Sequence, residues 1–225
     1  DPGAVEIAKL RLWLSLVVGE DDASAIQPLP NLDYKIVVGN SLEGIEKNLF
    51  NEATFNELER RKPLYFGETD RTKKRRAKEA IDGLLAQLTR GGTTFDFEAY
   101  FSEVFHSAQG FDVVIGNPPY LGFQGFMEQK SVLEARYVSA RGKYDYYVPF
   151  IEQGLRCLRT GGVLTYICPT NFSKRDYGRA IRRLLLTDTL LLEFIDFGDS
   201  QMFEGALNYT GILVCRKARA RPGHH

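Results

Sequence analysis

Phe111-Asp112-Val113-Val114-Ile115-Gly116-Asn117-Pro118-Pro119-Tyr120 reads as a strand running directly into a stiff aromatic corner. Val113, Val114 and Ile115 form an unbroken apolar run, the pattern of a parallel strand covered on both faces. Gly116 lets the backbone leave the strand without a Cβ clash. Asn117 and Pro118 each precede a proline, which pushes both toward extended geometry, and each proline locks its own φ. The corner therefore presents the Asn117 amide, the Pro118 carbonyl and the Tyr120 ring together. In open α/β sheets, ligands bind at the carboxyl ends of strands, where this corner lies.

Those groups suit an aromatic amine. An exocyclic –NH2 offers two N–H donors and a π face. The Asn117 side-chain oxygen and the Pro118 carbonyl are two acceptors, and Tyr120 is a stacking platform. Accepting both hydrogens draws the nitrogen lone pair out of conjugation and readies it for an electrophile. The plain alternative is an Asn-Pro turn after a core strand.

The rest of the chain places this corner in an α/β frame. An Asp1-Pro2 start predicts a helix to about residue 18, with Asp as N-cap and Pro in the first turn. Its apolar residues cover most of its circumference, so it is expected to be largely buried. A chain seldom begins inside its own core, so the sequence is expected to be a piece of a longer protein. Tyr34-Lys35-Ile36-Val37-Val38 reads as a strand, followed by Gly39-Asn40-Ser41-Leu42. A charged helix is expected from residue 44, broken at Lys62-Pro63. A basic helix follows over 69–88, carrying Arg71, Lys73, Lys74, Arg75, Arg76 and Lys78. It is either a phosphate-contacting face or simply a solvated one. Phe95, Phe97, Tyr100, Phe101, Val104 and Phe105 lead back to the central strand.

After the corner, Gly122 and Gly125 punctuate a segment that reads as a lid or a plain surface loop. Helix 145–158, strand 163–168, helix 175–186 and strand 190–197 follow, with a last strand at 211–215. The order predicts a mostly parallel α/β sheet with an antiparallel last strand.

Composition excludes several classes. Of 225 residues, 44% are hydrophobic and 26% charged, as in ordinary globular proteins. No apolar run is long enough to span a bilayer. The formal net charge of zero does not advertise a polyanionic partner for the chain as a whole. Cys157, Cys168 and Cys215 stand singly in apolar surroundings, which suits free thiols in a reducing, cytoplasmic setting and offers no metal-ligand spacing. His224 and His225 read as a tag remnant over 223–225, leaving His106 too isolated for a histidine triad or metal site.

The chain resembles the gamma-class adenine-N6 DNA methyltransferases, in particular the methyltransferase core of type IIG restriction–modification enzymes. The resemblance covers nearly the whole chain. It is carried by Asp1-Pro2 entering the Leu/Trp-rich helix, Gly39-Asn40-Ser41-Leu42 and Asn117-Pro118-Pro119-Tyr120. Gly142-Lys143-Tyr144-Asp145, Gly161-Gly162-Val163 and Met202-Phe203-Glu204-Gly205-Ala206 complete the series.

What the resemblance implies is a Rossmann-like class I methyltransferase sheet, S-adenosylmethionine as methyl donor and double-stranded DNA as partner. The target adenine is flipped out of the duplex. Asn117 and Pro118 accept the amine hydrogens, with Pro119 stiffening the corner. Tyr120 and Phe203 stack on the two faces of the extruded base, and Asn40 and Phe150 contact the cofactor's adenine. Asn40 stands where the family often has Asp.

The family's glycine-rich cofactor loop and ribose-binding acid belong to two strands upstream of Asp1, and its recognition domain lies downstream. Residues 1–222 therefore read as a partial catalytic domain lacking its first two strands, with a charged and aromatic helical insert over 44–110. Most of the cofactor site then lies upstream, the fragment is expected to be inactive alone, and the rest of the parent chain is its first partner. The open sheet predicts that strand 35–38 pairs directly with the central strand, or that a strand-completing dimer fills the gap. Two other functions stay open. One is N-methylation of glutamine amides in proteins, since the same acceptors suit an amide –NH2. The other is a non-catalytic DNA-binding module.

Overall fold

A computed structural model describes residues 2–18, 32–45, 48, 50–92, 94–198 and 209–218. The chain divides into two compact units, Asp1–His106 and Ser107–His225.

In the first unit, α1 (Pro2–Val18) forms where the sequence predicts a helix. It is not buried: Ile7, Leu10, Leu12, Leu14 and Val18 are exposed. An all-round apolar helix needs cover on every side, and the described residues do not supply it.

The expected strand at 34–38 is absent. Tyr34 sits at φ 60° and the Lys35 amide donates to the Leu32 carbonyl at 3.1 Å, so the chain turns there. Residues 37–40 have no ladder partner and form no strand. The Tyr34 side chain is instead drawn into a core with Phe55, Leu58, Tyr65, Ile81 and Leu85. Strand propensity without a partner edge does not make a strand.

The charged helix begins later than expected and continues through its proline. Before α2 (Glu52–Gly67), the Asn48 side chain accepts from the Phe50 and Asn51 amides at 3.0 and 3.2 Å. The Asn51 side chain accepts from the Asn48 amide at 2.9 Å. These local bonds offer the backbone an alternative to helix, which delays its start. Pro63 lies on the exposed side of the helix, and the Glu59 carbonyl it leaves unbonded belongs to a residue that is only half-buried. The buried stripe Phe55, Leu58, Lys62, Tyr65 runs on past it and packs on Ile81, Leu85 and Leu88 of α3 (Arg71–Leu88). Asp70 caps α3 by accepting from the Lys73 amide at 2.8 Å.

Lys62 is 0% exposed, and its ammonium donates to the carbonyls of Ala99 and Tyr100, at the end of α4 (Phe97–Tyr100), and to Glu103 in α5 (Ser102–Ala108). A cation at a helix C-terminus is favourably placed. Burial nevertheless pushes its pKa down from 10.5 to about 8, against the opposing pull of Glu103. Between those two values the unfolded chain binds a proton that the folded chain does not, so raising the pH favours folding. The expected result is that native protein gains roughly 3 kcal/mol over Lys62→Met between pH 8 and 10.5. Urea unfolding read by hydrogen exchange in α2 measures this. Subtracting the variant cancels the tyrosine titrations, and a flat difference would refute the assignment.

The second unit carries the sheet. β1 (Phe111–Gly116) pairs parallel with β2 (Leu158–Pro169), in register from Val113↔Val163 to Gly116↔Tyr166. β4 (Thr210–Lys217) runs antiparallel to both β2 and β3 (Thr189–Asp196), giving the order β1-β2-β4-β3. The mixed α/β sheet with an antiparallel last strand agrees with the sequence. The covered central strand does not: β1 is an edge among the described strands, and Val113 and Ile115 are 53% and 78% exposed. The direct pairing expected between strand 35–38 and β1 is likewise not formed. The segment is no strand, and β2 is β1's sole ladder partner among the described residues.

α7 (Tyr147–Cys157) packs on β1 and β2, and α8 (Arg179–Asp188) packs on β3. The glycine-punctuated segment after the corner is structured rather than a plain loop. It forms a 3-10 turn, Phe123–Gln129, and α6 (Lys130–Arg136), with Phe126 and Leu133 buried. No helix among the described residues is long and apolar enough to cross a membrane.

Candidate active site

The carboxyl end of β1 passes over a tyrosine ring. A Cβ added at Gly116 would stand 2.7 Å from Tyr166 Cε1, and one at Gly154 would stand 2.6 Å from its hydroxyl. The two glycines flank the ring and let it pack flat beneath the strand end. Beyond Gly116 the corner emerges with Asn117 exposed, Pro118 buried, Pro119 exposed and Tyr120 half-buried. The Tyr120 hydroxyl is buried, which pushes its pKa up, and nearby Thr210, the first residue of β4, opposes that rise. Tyr120 thus has a buried hydroxyl while part of its surface stays accessible.

Register brings more of the sheet to the same edge. β2 ends at Pro169 opposite Thr210, and Asp196 at the end of β3 lies opposite Gly211. Asp196 accepts from Gly198 N at 3.0 Å and stands 3.4 Å from Lys174. The Gly198 hydrogen bond, with help from Lys174, holds its carboxyl below the usual range. The connection from β3 to β4 leaves and re-enters the sheet here. It carries Phe203, which lies outside the described residues.

The corner is anchored from behind by α7. Tyr146 N donates to Leu121 O at 2.9 Å, one residue past Tyr120. A hydrogen-bond chain then crosses to the turn after β2. Phe172 N donates to Tyr147 Oη at 3.1 Å, Tyr147 lies 3.1 Å from Tyr177 Oη, and Tyr177 donates to Asp145 Oδ2 at 2.6 Å. Burial raises the pKa of both tyrosines, and the hydrogens they donate raise it further, so both stay protonated donors. Gly142-Lys143-Tyr144-Asp145 stands out in the sequence as a motif, but nothing there reveals that Asp145 meets Tyr177, 32 residues away.

Phe150 lies in the first turn of α7, half-buried, its ring edge-on to Tyr146 at 5.4 Å. Tyr146 continues into an aromatic cluster with Phe126 at 4.8 Å, and Phe126 meets Tyr144 at 5.3 Å. This cluster pins the segment that follows the corner. Asn40 belongs to the first unit. Its Oδ1 accepts from Leu42 N at 3.2 Å and its Nδ2 donates to Glu43 at 3.2 Å. The amide is engaged in its own turn, with a second lone pair and a second hydrogen remaining.

Comparison with known proteins gives this geometry a family. The type II restriction enzyme and methyltransferase RM.Eco57I of Escherichia coli is 34% identical over 48% of this chain. The type II methyltransferase M.XhoI of Xanthomonas vasicola is 37% identical over 50% of it. The matches cover 11% and 22% of those relatives' own lengths. Among solved structures, the DrdV–DNA complex shares 16% identity over 63% of this chain and 19% of that one, with a TM-score of 0.37. The family model described as Eco57I restriction-modification methylase matches residues 1–203, and the chain therefore belongs to the Eco57I restriction-modification methylase family.

Proposed function

We propose that this chain is the catalytic core of a DNA methyltransferase that transfers a methyl group from S-adenosylmethionine to the exocyclic amine of adenine, within a restriction–modification system. The observation that carries the proposal is the Asn117-Pro118-Pro119-Tyr120 corner at the carboxyl end of β1, with its tyrosine half-buried. Asn117 Oδ1 and the Pro118 carbonyl each accept one amine hydrogen and steer the lone pair out of the ring plane. Tyr120 stacks on the base, and Phe203 takes the other face. Base–aromatic stacking contributes about 1–3 kcal/mol per base, a useful offset to the cost of flipping.

When bound, S-adenosylmethionine supplies an electrophilic methyl carbon on a sulfonium. Phe150, a half-buried ring, would have the chemistry to pack on its adenine; Asn40, in the first unit, keeps one acceptor lone pair and one N–H of the kind an adenine edge pairs with. Transfer to the amine nitrogen would form the new N–C bond at the expense of the donor's carbon–sulfur bond, leaving a thioether. One amine proton then leaves to solvent, while Asn117 and Pro118 stabilise the positive charge that has passed through the nitrogen.

The test is product identity. The intact protein carrying this chain, given labelled cofactor and duplex DNA, is expected to yield N6-methyladenine. Label on cytosine would overturn the base assignment. Label on protein glutamine would transfer the site to the amide reading, and salt-sensitive DNA binding with no label would favour the non-catalytic module.

A further inference from the structure

The proposed chemistry leaves the basic helix α3 unused. Arg71, Lys74, Arg75 and Lys78 fall at i, i+3, i+4 and i+7 and so share one stripe. With Tyr65 and Asp33 they line a cavity of about 640 Å3 within the first unit.

Its acidic groups are largely answered inside the site. Tyr65 donates to Asp33 Oδ2 at 2.6 Å, and Lys78 stands 4.0 Å from Asp33 and 3.5 Å from Asp82. Arg75 approaches Glu79 at 3.8 Å, but both are well exposed and such a pair is worth little. Arg71 and Lys74 make no ion pair with a described residue; the Lys74 ammonium rests 5.5 Å from the Tyr65 ring centre. Positive charge is thus left over along the stripe, on side chains braced from beneath by an aromatic floor. The stripe rises about 10 Å over seven residues. Laid along the duplex axis, that length spans about three phosphates of one strand, at an axial rise of about 3.4 Å each. An acidic peptide has no such fixed charge spacing.

We infer that this face of α3 is a phosphate-backbone contact, gripping one strand of duplex DNA without reading its sequence. The inference rests on the proposed DNA substrate and adds where the duplex is held. Arginine forks suit phosphate oxygens, and contacts of this kind set register rather than specificity.

The test compares the intact protein with the triple variant Arg71→Gln/Lys74→Gln/Arg75→Gln, and with the control Lys73→Gln/Arg76→Gln on the other side of the same helix. Fluorescence anisotropy with a random 20-bp duplex is read from 50 to 200 mM salt. Each lost phosphate contact lowers the slope of log K against log salt by about 0.9, so the triple variant should lose about 3 and bind at least about tenfold more weakly at low salt. The control should keep most of its slope. KM for DNA should rise in the triple variant while kcat at saturating DNA stays put. An unchanged slope and KM in the triple variant would overturn the inference, as would equal losses in both variants. Competition by poly-glutamate as effective as by DNA would also overturn it. Failure of the underlying function shows differently, as an absence of methylated adenine from the unaltered protein.

Discussion

Replacing Asn117 by alanine is expected to lower kcat for methyl transfer about a thousandfold, with DNA affinity changed no more than a few-fold. The side chain is exposed on a backbone fixed by two prolines and by Tyr166 beneath Gly116, so truncation removes an acceptor without unsettling the fold. An acceptor aimed where charge develops is worth most in the transition state. Removing one such group from an active site typically costs about 10²–10³ in kcat. The base also loses its coupling of amine geometry to reactivity, which places the effect at the upper end. Asn117→Asp keeps an acceptor and should retain considerably more activity than Asn117→Ala. Single-turnover methylation beside anisotropy binding separates the two parameters, and full turnover in the alanine variant would remove Asn117 from the mechanism.

The second large effect is on stability. Glu152 is 2% exposed in α7, and its carboxylate accepts from Ser139 N at 2.8 Å and Val138 N at 3.3 Å. Arg156 joins at 2.6 Å, and its guanidinium lies 4.7 Å from the Tyr137 ring centre while donating to the Arg136 carbonyl. One carboxylate thus holds the turn at 137–140 onto α7. Glu152→Ala strands buried amides and a guanidinium together. The expected cost is about 3 kcal/mol, the lower end for breaking a buried pair because Arg156 keeps partial contact with solvent. That should lower the Tm of the second unit by about 10 °C. Glu152→Gln keeps one acceptor and should fall between. A loss below about 2 °C in the alanine variant would show that water replaces the carboxylate at no cost.

The sequence by itself determined the class of the fold and which groups meet at the corner. Two prolines after Gly116 act through φ, a local constraint, so Asn117, Pro118 and Tyr120 could be read together without knowing what surrounds them. The helices at 2–18 and 71–88, and the strands of the second unit, were legible because caps and apolar spacing are local too. What tertiary structure alone decided was partnership. Residues 34–38 have strand composition but turn, since a strand exists only where another edge takes its hydrogen bonds. Val113 and Ile115 read as buried, yet they lie on the edge among the described strands. Lys62-Pro63 read as a break, yet burial of Lys62 and exposure of Pro63 carry α2 through it. Tyr177, Thr210 and Glu152 gave no signal in sequence, because their roles arise from contacts between elements far apart in the chain. Composition and local geometry name what a residue can do; register and burial decide which residues it does it with.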